Sequence, residues 1–277
     1  LWFLFGSMQA VAQRIKEAVQ SGKKIVLITF HLKEKGERDL EGAIHEVLNF
    51  YGKEDLVGPV HAAIRELVQN AAKANLKRIV FKDLGLDPGN PEQYEEGMQH
   101  FRDNLVESRI AEYQSRLRAE NIYTRIIIQP LDDVLLFSVE NRFPLYPSEE
   151  ARIREKFKTS AAIDNLYDYY MEFSDHIEGA GMGIAMIEIL LRQVGLDSRS
   201  FTIHYDPATA HTVGRFLIPL KEGVKTNRQQ FQELLKQKET RPHELRSSIQ
   251  QGELHLPLVS SPPAESHGTG LDLAVPP

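Results

Sequence analysis

The sequence has 277 residues, 42% hydrophobic and 26% charged, with net charge −6 and a pI near 6.0. That is enough for a sizeable core, and the acidic balance argues against nonspecific nucleic-acid binding, which draws its affinity from clustered Lys and Arg. The absence of cysteine excludes disulfides, thiolate metal sites and cysteine nucleophiles and fits a reducing cytoplasm; no apolar run approaches the roughly 20 residues that cross a bilayer.

The chain reads naturally from Met8. The preceding LWFLFGS is too short for a secretory signal and lacks its basic start; Gly6-Ser7 before a methionine has the look of a cloning junction, so residues 1–7 are set aside. Val11, Ile15, Ala18 and Val19 share a face and predict a helix over 8–20, ended by Ser21-Gly22. The run 24–32 reads as a strand, and Asp39 as the cap of a helix to about Tyr51. Gly58-Pro59 opens a helix to Asn75. On it Val60, Ile64, Leu67, Val68 and Ala71 face one way, and Glu66, Asn70 and Lys73 form a polar row on the other.

Residues 77–82, KRIVFK, read as a second short strand. A Gly/Pro/Asn loop over 85–91 leads to a helical pattern over 93–119, which suits a solvated face or a homodimer surface. The runs 123–129 and 134–140 predict an antiparallel hairpin. Ser148 is placed to cap a helix to about Tyr170. An apolar helix over 184–194 and strands over 201–205 and 215–220 follow. The class is α+β: a two-layer α/β sandwich with a mixed, mostly antiparallel sheet and helices on one face. Beyond Lys221, residues 227–238 suit one polar helix, and the Ser/Pro/Gly-rich tail from Ser247 reads mostly as disorder.

Two features bear on chemistry. The Glu66–Asn70–Lys73 row stacks a carboxylate, a carboxamide and an amine, which a plain solvated face also does. Glu178-Gly179-Ala180-Gly181-Met182-Gly183 precedes the apolar helix, where glycines let backbone amides approach a phosphate at a helix start; a flexible loop is the plainer reading. It is neither a Rossmann fingerprint nor a P-loop.

Together, Glu66-x-x-x-Asn70-x-x-Lys73 and Gly179-x-Gly181-x-Gly183 resemble the N box and second glycine box of the histidine kinase-like (GHKL) ATPase superfamily. That group includes histidine kinases, anti-sigma-factor kinases, type II topoisomerases, MutL-type proteins and the large heat-shock chaperones. The stretch Thr212–Pro219 resembles the closing threonine and strand. The resemblance covers about 56–220 and is nearest to the histidine-kinase and anti-sigma-factor branches. It implies a Bergerat-type sandwich that takes ATP and Mg2+. Asn70 would ligate the cation through its amide oxygen, Glu66 would be the general base and Lys73 would contact a phosphate. The amides around Gly179, Ala180, Gly181 and Gly183 would hold the phosphates, with Glu178 and Met182 beside them and Thr212 near the adenine.

The family's Asp-x-Gly-x-Gly box is altered. The strand end reads FSVENRFPL, and Asn141 is the best match for the adenine-binding Asp; its oxygen accepts a hydrogen bond without charge. The segment 142–177 would be the lid, with Tyr167, Tyr169, Tyr170 and Phe173 either packed on the body or facing a partner. His45-Glu46 and His243-Glu244-Leu245-Arg246 are the candidate phosphoacceptor sites, and the other histidines show no metal-ligand spacing. The resemblance implies a cytoplasmic kinase that phosphorylates Ser/Thr or His on a signalling partner; the acidic charge and the lack of a spanning apolar run point to no nucleic acid and no membrane as partners. Its alternatives are a non-catalytic nucleotide-dependent interaction module and a small ATPase. The organisation is an 8–55 helix-strand-helix extension, a 56–220 ATP-binding domain and a 221–277 tail.

Overall fold

The computed structural model describes residues 8–103, 107–161, 163, 167, 182–238, 241, 244, 245, 248 and 271–274. In chain order these form α1 (Met8–Gln20), β1 (Ile25–Thr29), α2 (Glu34–Phe50), α3 (Val57–Leu84), α4 (Pro91–Asp103), α5 (Glu107–Ala119), β2 (Thr124–Leu131) and β3 (Val134–Asn141). Then come α6 (Pro147–Ser160), α7 (Met182–Gln193), β4 (Thr202–Asp206), β5 (His211–Pro219), α8 (Asn227–Lys238) and β6 (Leu271–Ala274).

Strand alternation builds the sheet. Ile25, Leu27, Ile126, Ile128, Leu135, Phe137, Val139, Ile203, Phe216 and Ile218 point to one face and pack with buried residues of α1, α2, α3 and α7 in a single cluster. The strand order is β4-β5-β3-β2-β1-β6. Pairing is antiparallel from β4 to β1, while β6 joins β1 in parallel. The result is the two-layer α+β sandwich expected from strands and helices that mix without strict alternation. β2 and β3 are the expected hairpin, with Leu131 opposite Val134 across Asp132-Asp133.

The central helix α3 departs most from expectation. It has 28 residues and includes 77–82. The β-branched and aromatic residues of that run mimic a strand, but Leu76, Ile79 and Val80 fall at helical spacing. They and Phe81 form a second cluster with Tyr94, Met98, Phe101, Leu117 and Ile122. The helix stops at Gly85, whose φ of 66° suits a residue without a Cβ; Leu86 N–H closes the turn on Phe81 O at 3.0 Å. So the first half of α3 serves the sheet and the second half serves α4 and α5.

Other boundaries also shift. α2 starts at Glu34, ahead of Asp39, whose carboxylate pairs with Lys35 at 2.8 Å instead of capping. The pattern over 93–119 is two helices, α4 and α5. α6 is entered at Tyr146, not Ser148: Glu149 Oε2 accepts from Tyr146 N–H at 3.1 Å, and the helix ends at Ser160. The chain turns at Ala161, and apart from 161, 163 and 167 the expected continuation to Tyr170 lies outside the described residues, as do residues 1–7 and the tail apart from 248 and 271–274. Among the described residues no helix is long and apolar enough to cross a membrane.

Gly97 of α4 lies against the buried Phe81 ring. A Cβ there would sit 2.7 and 2.8 Å from ring carbons that cannot move aside. Ala favours a helix over Gly by about 1 kcal/mol, but overpacking costs about 1–3 kcal/mol. Gly97→Ala is therefore expected to lower stability, read as a lower midpoint in urea with an unchanged slope.

Candidate functional site

Two polar rows meet at α3. The first runs along the helix: Glu66, Asn70 and Lys73 are partly exposed on one stripe, and the helical period extends it to Lys77. Asn70 Nδ2 donates to Glu66 Oε1 at 3.0 Å. At the far side of Glu66 stands Gly183, in the first turn of α7. A Cβ on Gly183 would lie 2.5 Å from Glu66 Cδ and 2.6 Å from Cγ, so a larger residue here would require the Glu66 side chain to move aside. The carboxylate thus rests against the helix start, where the backbone dipole favours negative charge.

The second row crosses the sheet at one end of its strands. Thr29 pairs with Thr124, Thr124 with Asn141 and Asn141 with Thr212. Beneath α3, Asn75 Nδ2 donates to Thr124 Oγ1 at 3.3 Å, and Thr124 Oγ1 donates to Asn141 Oδ1 at 3.2 Å. Asn141 Nδ2 donates to Ala71 O at 3.0 Å. This buried chain clamps α3 to β2 and β3. Thr29 Oγ1 and Asn75 Oδ1 are buried without a hydrogen-bond partner among the described residues. Thr212 Oγ1 donates to Phe143 O.

Asn141→Asp would place a carboxylate, which cannot donate, against the Ala71 carbonyl. That leaves a buried acceptor facing another acceptor, and the variant is expected to lose about 1–3 kcal/mol in thermal unfolding at neutral pH.

Of the sequence-assigned site residues, Glu66, Asn70 and Gly183 are brought into contact, and Asn141 and Thr212 are neighbours across β3 and β5. Lys73 shares the stripe of Glu66. Met182 opens α7. Glu178, Gly179, Ala180 and Gly181 lie outside the described residues, as do His243 and most of the segment 162–181. His45 is exposed on α2. Among the described residues no group of three or more His, Cys, Asp or Glu could hold a metal.

A buried ionic cluster at the other end of the stripe was not anticipated. Glu149 of α6, only 6% exposed, takes Lys77 and Arg78, with Arg78 Nη2 at 2.9 Å. Arg78 also donates to Pro144 O at 2.7 Å and lies 3.6 Å from the Tyr146 ring centroid. Arg152 meets the Tyr94 hydroxyl. Burial pushes the Glu149 carboxyl up, but the two cations outweigh it and hold it at about 2. Lys77 is lowered by its own burial, which Glu149 opposes and Arg152 and Arg78 reinforce. Two cations share one carboxylate, so the anion is over-compensated and the lysine is not.

No family model matches the chain, and no solved structure matches it. A relative from Treponema pallidum (strain Nichols), described as "Uncharacterized protein", is 26% identical over 214 residues. The match covers 77% of this chain and 41% of the relative, so the chain spans less than half of that protein's length.

Proposed function

We propose that the chain is a cytoplasmic ATP·Mg2+-binding signalling protein of the histidine kinase-like, Bergerat-fold kind. In this reading it passes the γ-phosphoryl group to a Ser/Thr or His of a protein partner. The observation that carries the reading is the approach of Gly183, the described member of the glycine motif, to Glu66, from which it is distant in sequence. The residues suit the ligand. Backbone at a helix start favours phosphate, and a carboxylate beside a carboxamide offers oxygens to a hard cation. Bound ATP·Mg2+ would supply the phosphoryl group and the charge that neutralises it.

The chain's own side chains have distinct parts. Glu66 is oriented by the Asn70 N–H, which leaves its other oxygen able to hold a proton from an acceptor hydroxyl. Asn70, donating through Nδ2, keeps Oδ1 for the cation. Lys73 adds positive charge on the same stripe. Thr212, beside Asn141, is the residue on the base side.

A second reading is favoured by Asn141. Its Oδ1 already accepts from Thr124 and its Nδ2 donates to Ala71 O, so it is committed to holding the fold. A protein that binds the nucleotide loosely at the base, and whose bound state a partner reads without turnover, fits that observation. A small ATPase is a third. Labelled ATP, given to the chain and to Glu66→Ala, separates them. Label on a partner protein that Glu66→Ala abolishes supports the kinase. Release of labelled phosphate means an ATPase. Binding without turnover, unchanged by Glu66→Ala, supports the interaction module and removes the kinase reading.

A further inference from the structure

β1 is a strand of the kind that needs a cover. Ile25–Thr29 reads IVLIT, with no charge and no proline, and β2 takes one of its edges along the whole length, from Ile25 opposite Ile128 to Thr29 opposite Thr124. The outer edge presents a second row of backbone N–H and C=O groups. Natural sheets protect such an edge with charge, proline, a bulge or a covering segment. Here the cover is β6, which lies along it in parallel: Ile25 is opposite Leu271, Val26 opposite Asp272, Leu27 opposite Leu273 and Ile28 opposite Ala274.

β6 stands apart from the rest of the sheet. It is four residues long and follows α8 from far along the chain. Among the described residues it makes the one parallel pair, the pairing that is slightly less stable per residue. β1 does not need it for position: its register with β2 is complete, and Ile25 and Leu27 belong to the core cluster with α1, α2 and α3. The sequence also limits how far the segment can pair. Gly268 and Gly270 precede it and Pro276-Pro277 follow, and proline has no N–H to give to a ladder. A short strand, paired on one side to an uncharged edge, is held there by main-chain hydrogen bonds that another extended chain can also make.

We propose that the outer edge of β1 is a docking site for an extended segment of a protein partner, with aliphatic residues at alternate positions and no proline, and that β6 fills it in the unbound chain. The partner strand would add to the sheet in place of β6, with main-chain hydrogen bonds giving affinity and alternate side chains giving selectivity. The seated segment shows the chemistry that the edge accepts: Leu271-Asp272-Leu273-Ala274 carries two leucines at a spacing of two. A tethered segment competes at an effective concentration of up to about millimolar, so β6 sets a threshold that the partner strand must exceed. The site is independent of the nucleotide reading.

The test uses the full chain with a double substitution, Asp272→Pro and Leu273→Pro. Successive N–H groups along a strand point to opposite edges, so one of these two faces β1, and proline removes it whichever it is. The probe is a synthetic peptide with the sequence of residues 267–277, and the same peptide with both prolines is the control. In amide hydrogen exchange, the β1 amides that point away from β2 are expected to lose protection about tenfold or more in the variant, while those paired with β2 keep theirs. The peptide should bind the variant saturably and restore that protection, and should bind the wild type about tenfold or more weakly; the control peptide should bind neither. Three results would overturn the proposal: no peptide binding to the variant, equal binding to variant and wild type, or outward amides that stay protected in the variant. Loss of the β2-paired protection as well would also overturn it, by making β6 part of the folding unit. So would dimerisation of the variant in sedimentation with no peptide bound, which gives the edge to a second copy.

Discussion

Glu149→Ala is expected to destabilise the protein by about 3–5 kcal/mol, the range for removing one partner of a buried ion pair. Lys77 and Arg78 would keep their burial and lose their shared carboxylate, and the α6 entry would lose the bond to Tyr146 N–H. Acid should do the same without mutation. The carboxyl is held at about 2 against an ordinary value of 4.5. A depressed carboxyl contributes stability that is full above its unfolded value and is lost as pH falls through its folded value. The gap corresponds to about 3 kcal/mol, which should vanish between roughly pH 4.5 and pH 2. Urea unfolding across that window, compared in wild type and Glu149→Ala, checks it: the wild-type curve should fall more steeply, and the two should converge at the acid end.

Gly183→Ala should change sign with its background. In the wild type the new Cβ meets the Glu66 side chain, which must swing away and give up the Asn70 bond. The clash should offset or exceed the roughly 1 kcal/mol that Ala gains over Gly in a helix. In a Glu66→Ala background the obstacle is gone, and the same substitution should stabilise by about 0.5–1 kcal/mol. A double-mutant cycle by urea denaturation should therefore give a coupling of about 1–3 kcal/mol between these positions. Independent, additive effects would show that Glu66 and Gly183 do not meet in solution. On the proposed nucleotide reading, ATP affinity should fall in Gly183→Ala as well, since the displaced carboxylate would move toward the side proposed for the phosphates.

How much of this was legible depends on whether a feature is local. The sheet could be read because its strands alternate over short runs, as in 134–140, where Leu135, Phe137 and Val139 face the helices. The length of α3 was hidden because KRIVFK is rich in strand-favouring residues; the deciding contacts come from Tyr94, Met98 and Leu117 on other elements. The Glu149 cluster was out of reach for a similar reason, since its partners lie 71 and 72 residues away along the chain. The Glu66 row was visible in the helical period, and its meeting with Gly183 followed only from the motif resemblance. The commitment of Asn141 to Ala71 O involves a backbone carbonyl, which no residue pattern marks. Asp39 and Ser148 illustrate a further limit: each is a good cap residue by type, yet Lys33 and Tyr146 occupy the helix entrances.

The junction of α3 and α7 is the centre of the account, and calorimetric titration of the full chain with ATP, ADP and GTP, with and without Mg2+, tests it most directly. Saturable, Mg2+-dependent binding of ATP, weakened about tenfold or more by Asn70→Ala, is the predicted result. No heat of binding from any of the three nucleotides at millimolar concentration would contradict it.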